Sequence, residues 1–146
     1  MTEKEKVQEA KAELMQISKI DRLITRLTNT VATLRSSLTS GNYELKQDVV
    51  QTSGPKNPIE NVILKIIDLE DQINGQIDEL ISRKADAMKL IGRISDLDQR
   101  NILVARYVQG EKWEDIAAET EHEIRWVFRV HGNALLSYVS VKDSMK

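Results

Sequence analysis

The stretch whose reading decides the fold is Asp98–Leu136, DQRNILVARYVQGEKWEDIAAETEHEIRWVFRVHGNALL. Three helical patterns lie in it, separated by breaks of only a few residues. The first carries Ile102, Leu103 and Tyr107 and closes at Gly110, since a glycine one step past a helix takes the left-handed conformation that ends it. Trp113 to Glu119 makes the second. The third starts near Ile124 and keeps helical period through Val127, Val130, Leu135 and Val139. Helices this short and this closely joined predict a helix-turn-helix. Ala117 supplies the small residue where its helices touch, with Ile116 beside it and Val127 and Val130 ten and thirteen positions on.

Upstream, the pattern changes to long helices. Ala10, Leu14, Ile17, Ile20, Ile24, Leu27, Val31, Leu34 and Leu38 step by three or four, with no glycine or proline between them. One helix over 7–38 is predicted, a rod of roughly 48 Å at 1.5 Å per residue. A second follows from Ile59 to about Ile94, on Val62, Ile66, Leu69, Ile73, Ile77, Leu80, Ala87 and Ile91. Asn57-Pro58 marks its start, and Glu60 suits the positive end of its dipole. Between the two lies the one long break, about 39–58, where Val49 and Val50 offer a short extended piece. Asp96 and Asp98 are candidate N-caps for the helix that holds Tyr107.

The totals agree with this reading. Charged residues make up 30% of the 146 and aromatics only 4%, a balance that suits long helices better than one large globular core. No run approaches the ~20 apolar residues of a membrane span. The N-terminus MTEKEKVQEAKAE carries no apolar signal region, so a cytoplasmic protein is expected. Cysteine is absent, which removes disulfides and thiolate chemistry. Residues 1–95 balance 14 acids against 14 bases, while 96–146 carry 9 acids and 7 bases. The helix-turn-helix module therefore lacks the broad positive footprint that nucleic-acid binders usually carry.

Enzyme chemistry finds no footing. His122 and His131 stand nine apart, out of phase on one helix, and no carboxylates join them at metal-ligand spacing. There is no glycine-rich phosphate loop and no serine or cysteine nucleophile motif. Glu114 and Asp115 open a helix, where carboxylates favour the dipole. No enzymatic activity, metal or cofactor is expected.

ILVARYVQGEKWEDIAAE followed by VFRVHGNAL resembles region four of bacterial sigma factors. It is closer still to small sigma-like proteins of Gram-positive phages and prophages, themselves similar to the ArpU-type and RinA-type late-gene regulators. The residues that match are Leu103, Arg106, Tyr107, Gly110, Trp113, Ile116, Ala117, Val127, Arg129, His131, Gly132, Ala134 and Leu135, with KIIDLEDQINGQIDELI at Lys65–Ile81 as the upstream helical segment. The resemblance covers the chain after residue 20. It implies a phage transcriptional regulator that binds DNA, RNA polymerase or both, in a bacterial host cell. The turn position commonly held by glycine is Glu121 here, preceded by Thr120 and followed by His122 and Glu123.

Arg125, Arg129 and Asn133 recur at i, i+4 and i+8 and so share one helix face. Arginine pairs with guanine edges and asparagine with adenine edges in the major groove; the alternative is a solvated face ion-paired to Glu121 or Glu123. Trp126 turns partly outward, toward a long helix or toward DNA or a partner. His131 contacts phosphate or the neighbouring helix, Lys112 contacts phosphate, and Trp113 anchors the core. The architecture expected is all-α: a long antiparallel helical hairpin over 1–95 that forms a homodimer, a helix-turn-helix over 96–141, and a tail at 142–146. The rival to DNA reading is a protein-interaction adaptor that docks on RNA polymerase or another protein.

Overall fold

A computed structural model of the chain describes residues 1–39 and 57–145. Among these residues the fold is all-α, and no strand occurs. Helix α1 spans Glu3–Thr39, α2 Pro58–Ile91, α3 Leu97–Leu103, α4 Trp113–Thr120 and α5 Ile124–Ser144. Residues Val104–Val108 continue α3 as a π-helical turn. The break between α1 and α2, with the extended piece weighed at Val49 and Val50, lies outside the described residues. Its far end is visible: Asn57 Oδ1 accepts the Ile59 N–H at 2.9 Å, and Pro58 takes the first helical position, where its missing N–H costs nothing.

The chain divides into two compact units, one of Met1–Ile20 with Leu80–Lys146 and the other of Asp21–Glu79. The boundary read from sequence at 95/96 falls inside the first unit. In the second unit, Val31 of α1 is buried with Val62 and Ile66 of α2, flanked by Leu34, Leu38, Leu69 and Ile73. Arg35 and Glu70 close an ion pair of 3.1 Å over this cluster; both side chains are about half exposed, so it adds little to stability.

The first unit has two cores. The larger joins Ala10, Leu14 and Ile17 of α1, Ala87 and Ile91 of α2, Leu103 and Tyr107, and Ala134, Leu135, Tyr138 and Val139 of α5. The smaller holds Ile102, Ile116 and Val127, with Trp113, Ala117, Trp126 and Val130 packed against it. Val127 and Leu103 are wholly shut off from solvent.

Helix ends explain where the pattern stops. The second long helix was expected to reach Ile94 but ends at Ile91. The Arg100 side chain folds back from α3 and donates to the carbonyls of Gly92 and Ile94, groups with no helical partner of their own. Asp96, not Asp98, caps α3, its Oδ1 accepting the Gln99 N–H at 3.1 Å. After the π turn, Gly110 takes φ +71°, and the Glu111 N–H reaches back to the Ala105 carbonyl at 2.9 Å. Helix α5 runs to Ser144, through most of the expected tail. There Lys6 pairs with Asp143 at 3.0 Å and Lys142 pairs with Glu13.

Candidate nucleic-acid interface

The turn between α4 and α5 is built from backbone. Glu121 sits in the left-handed region at φ 58°, ψ 36°. Its N–H donates to the Ala118 carbonyl at 3.2 Å, and the His122 N–H donates to that of Ala117 at 3.1 Å. These paired bonds close α4 as a Schellman motif. The half-buried Thr120 hydroxyl donates to the Ile116 carbonyl of its own helix at 2.8 Å, which satisfies its oxygen. The turn is tight although its left-handed position is glutamate.

This turn aims α5. Its inner stripe buries Val127, His131, Ala134, Leu135, Tyr138 and Val139. Arg125, Arg129 and Asn133 all stay exposed on the opposite side. Gly132 and Ser140 are exposed as well, and a side chain at Gly132 would meet open space. Among the described residues neither guanidinium closes an ion pair, so the face is not neutralised by Glu121 or Glu123. From Ile124 to Lys142 the helix carries no acid at all, whereas Glu111–Glu123 carries six. The negative balance of the module therefore sits on α4 and its flanks, and α5 itself is positive.

Lys112 is exposed at the N-cap of α4. Trp126 is half-buried against the smaller core and stacks on His122, ring centroids 3.6 Å apart and planes 18° from parallel. It contacts neither long helix in that core. Beside Lys112, Glu111 has its Oε2 closed off from solvent with no hydrogen-bond donor in reach. Hydrogen bonding to the Glu119 carboxyl raises its pKa, with desolvation and the Glu119 and Asp115 charges acting the same way. Two acceptors cannot bond each other until they share a proton, so the pair favours one.

Of the two contacts expected of His131, phosphate or the neighbouring helix, the structure shows the second. Only 9% exposed, the residue shares a 2.7 Å hydrogen bond between Nε2 and the Tyr107 hydroxyl. Burial, with Lys11 and Arg106 nearby, lowers its pKa to about 4. Burial likewise pushes Tyr107 up to about 12, against the pull of Arg106. His131 belongs to the core and not to the outer face: four residues past Val127, it lies on the buried stripe. Its ring meets Trp113 edge-on at 4.7 Å, and the Arg106 guanidinium covers Trp113 at 4.4 Å.

Phe128 was not singled out by sequence. It is 48% exposed and meets the Trp113 ring edge-on at 5.3 Å. Ile124, one turn earlier, is 38% exposed. The available signal was an aromatic one step beyond the buried Val127, at the margin of the inner stripe.

A family model described as a protein of unknown function, DUF1492, matches residues 37–136. The chain belongs to this family. No curated protein and no solved structure matches it. The DUF1492 span takes in α2, α3, the π turn, α4 and α5 as far as Leu136, and so includes Arg125, Arg129 and Asn133. Among the described residues no cluster of histidines and carboxylates is arranged to hold a metal, and no helix is long and apolar enough to cross a membrane.

Proposed function

We propose that this DUF1492 protein is a phage or prophage transcriptional regulator, with α4, the Glu121 turn and α5 acting as a sigma-like helix-turn-helix on duplex DNA. The observation that carries the reading is the outer face of α5, where Arg125, Arg129 and Asn133 are exposed together on an acid-free helix. Side chains of these types hydrogen-bond guanine and adenine edges in the major groove. Lys112 adds a phosphate contact, and Trp126 supports the face from behind. The α1–α2 pair serves as an antiparallel hairpin that brings two modules together in a homodimer, since α2 leaves Ile63, Ile67 and Ile77 exposed beside the stripe it already buries. A helix with two adjacent apolar stripes asks for two neighbours.

The test is selection of duplexes by the purified protein from a random library and from phage genomic fragments. Wild type is expected to recover a shared sequence, and Arg125→Glu or Arg129→Glu to lose it while circular dichroism stays unchanged. A second reading rests on the exposed acids Glu114, Asp115, Glu119, Glu121 and Glu123: an adaptor that docks on RNA polymerase without reading DNA. If the reversed variants hold DNA as wild type does, yet lose polymerase in a pull-down, the adaptor reading replaces the first.

A further inference from the structure

An exposed aromatic ring beside a charged and hydrogen-bonding face has a specific chemical use. Phe128 stands one residue before Arg129 and three after Arg125, hence about 1.5 and 4.5 Å from them along the axis of α5. Successive bases on one DNA strand are about 3.4 Å apart. Round the helix Phe128 is a neighbour of Arg125, three residues back, and not of Arg129 beside it in sequence, so a helix placing Arg125 on a base edge brings the Phe128 ring to about the next base step. The apolar feature a major groove offers at that depth is the C5-methyl of thymine, and phenylalanine is among the side chains that meet it.

The ring is also held. Trp113 meets it edge-on at 5.3 Å and is itself fixed by the Arg106 guanidinium at 4.4 Å and by His131 at 4.7 Å. His131 in turn bonds the buried Tyr107. A chain of contacts thus runs from the core to the exposed ring, and a contact residue held this way loses little freedom on binding. Protein docking is the other use for an exposed aromatic. Specific protein interfaces bury about 800 Å² on each partner, and the apolar surface here is that of Phe128 and Ile124 alone on α5's leading turns. One methyl group needs no more than one ring.

We propose that Phe128 is a specificity-determining residue that reads a thymine methyl next to a guanine held by Arg125. The inference rests on the DNA-reading function above and narrows its ligand to thymine-containing B-form DNA. Uracil lacks the methyl group, and the deep, narrow major groove of an RNA helix does not admit the side chains.

The experiment uses the full chain and the duplex it recovers from a random library, with each thymine in turn replaced by deoxyuridine. At one position per half-site, wild type should bind the uracil duplex about fourfold more weakly, the cost of one buried methyl group. Phe128→Ala should bind both duplexes equally and at the weaker level, and Phe128→Leu should keep part of the difference. If no position responds in wild type while Arg125→Glu still abolishes binding, DNA reading stands and the assignment of Phe128 falls. If wild type recovers no duplex, both fall. If Phe128→Ala binds DNA as wild type does but no longer retains RNA polymerase, Phe128 is a protein-docking anchor, and the inference is overturned.

Discussion

Glu121 and His131 each occupy a position that suits another residue better. A non-glycine side chain in the left-handed region costs roughly 1–2 kcal/mol, part of which glycine gives back through the entropy of the unfolded chain. Glu121→Gly should therefore raise unfolding stability by about 1 kcal/mol, read from urea melts at pH 7. For His131 the sign follows from the proton. The unfolded imidazole binds it near pH 6.5, and the folded one only near pH 4, so the unfolded chain gains protons first. The stability His131 contributes is full above pH 6.5 and falls away as the pH drops toward 4, by on the order of 3 kcal/mol. Urea melts of wild type and His131→Phe at pH 7 and pH 4.5 should show the steeper loss in wild type. Equal slopes would mean that the buried histidine does not govern acid sensitivity. Sequence held enough to place both residues. Glu121 was recognised as the turn position, whereas for His131 phosphate and the neighbouring helix both stayed open, although its phase put it on the buried stripe with Val127.

Elements were more legible than their joints. A stripe of threes and fours predicted α1 over 7–38, and the helix spans Glu3–Thr39, because nothing in those residues favours another conformation. The three helical patterns of 98–136 emerged at α3, α4 and α5. The π turn at Val104–Val108 did not show in sequence, since apolar spacing of four and a widened turn leave the same pattern over five residues. Nor did the stop at Ile91, which depends on where Arg100 reaches from the next helix. Ala117 tests the crossing of α4 and α5 directly. It is half-buried against the Ile102, Ile116 and Val127 cluster, so Ala117→Leu should overpack the site at a cost of about 1–3 kcal/mol. Hydrogen-exchange protection should drop across Ile102–Leu135. Unchanged protection there would show that the helices do not cross at this residue.

At the scale of the whole molecule, assembly and salt response are linked. Ile63 and Ile67 remain 42% and 51% exposed, and a homodimer that covers them should sediment as such at tens of micromolar protein. Ile63→Glu with Ile67→Glu should yield a monomer of undiminished helicity. A wild-type monomer at that concentration would remove the paired-module geometry. On the proposed DNA reading, Arg125 and Arg129 lie at base edges and Lys112 is the one phosphate contact assigned to each module. Neutralising one phosphate gives a slope of about −1 in log affinity against log salt, and a dimer engaging two gives about −2. The measured slope therefore counts the modules that touch DNA together.

The larger core of the first unit has a bearing on how the protein is made. Ala10, Leu14 and Ile17 share it with Ala134, Leu135, Tyr138 and Val139, partners more than a hundred residues downstream. On the ribosome, the start of α1 waits for almost the whole chain before its apolar face finds cover, and contacts so distant in sequence close slowly. The 21–79 unit contains its own cluster and has no such wait. A nascent chain halted before α5 should therefore protect the Val31, Val62 and Ile66 cluster from protease while Ala10–Ile17 stays open to cleavage, and release of the finished chain should close both.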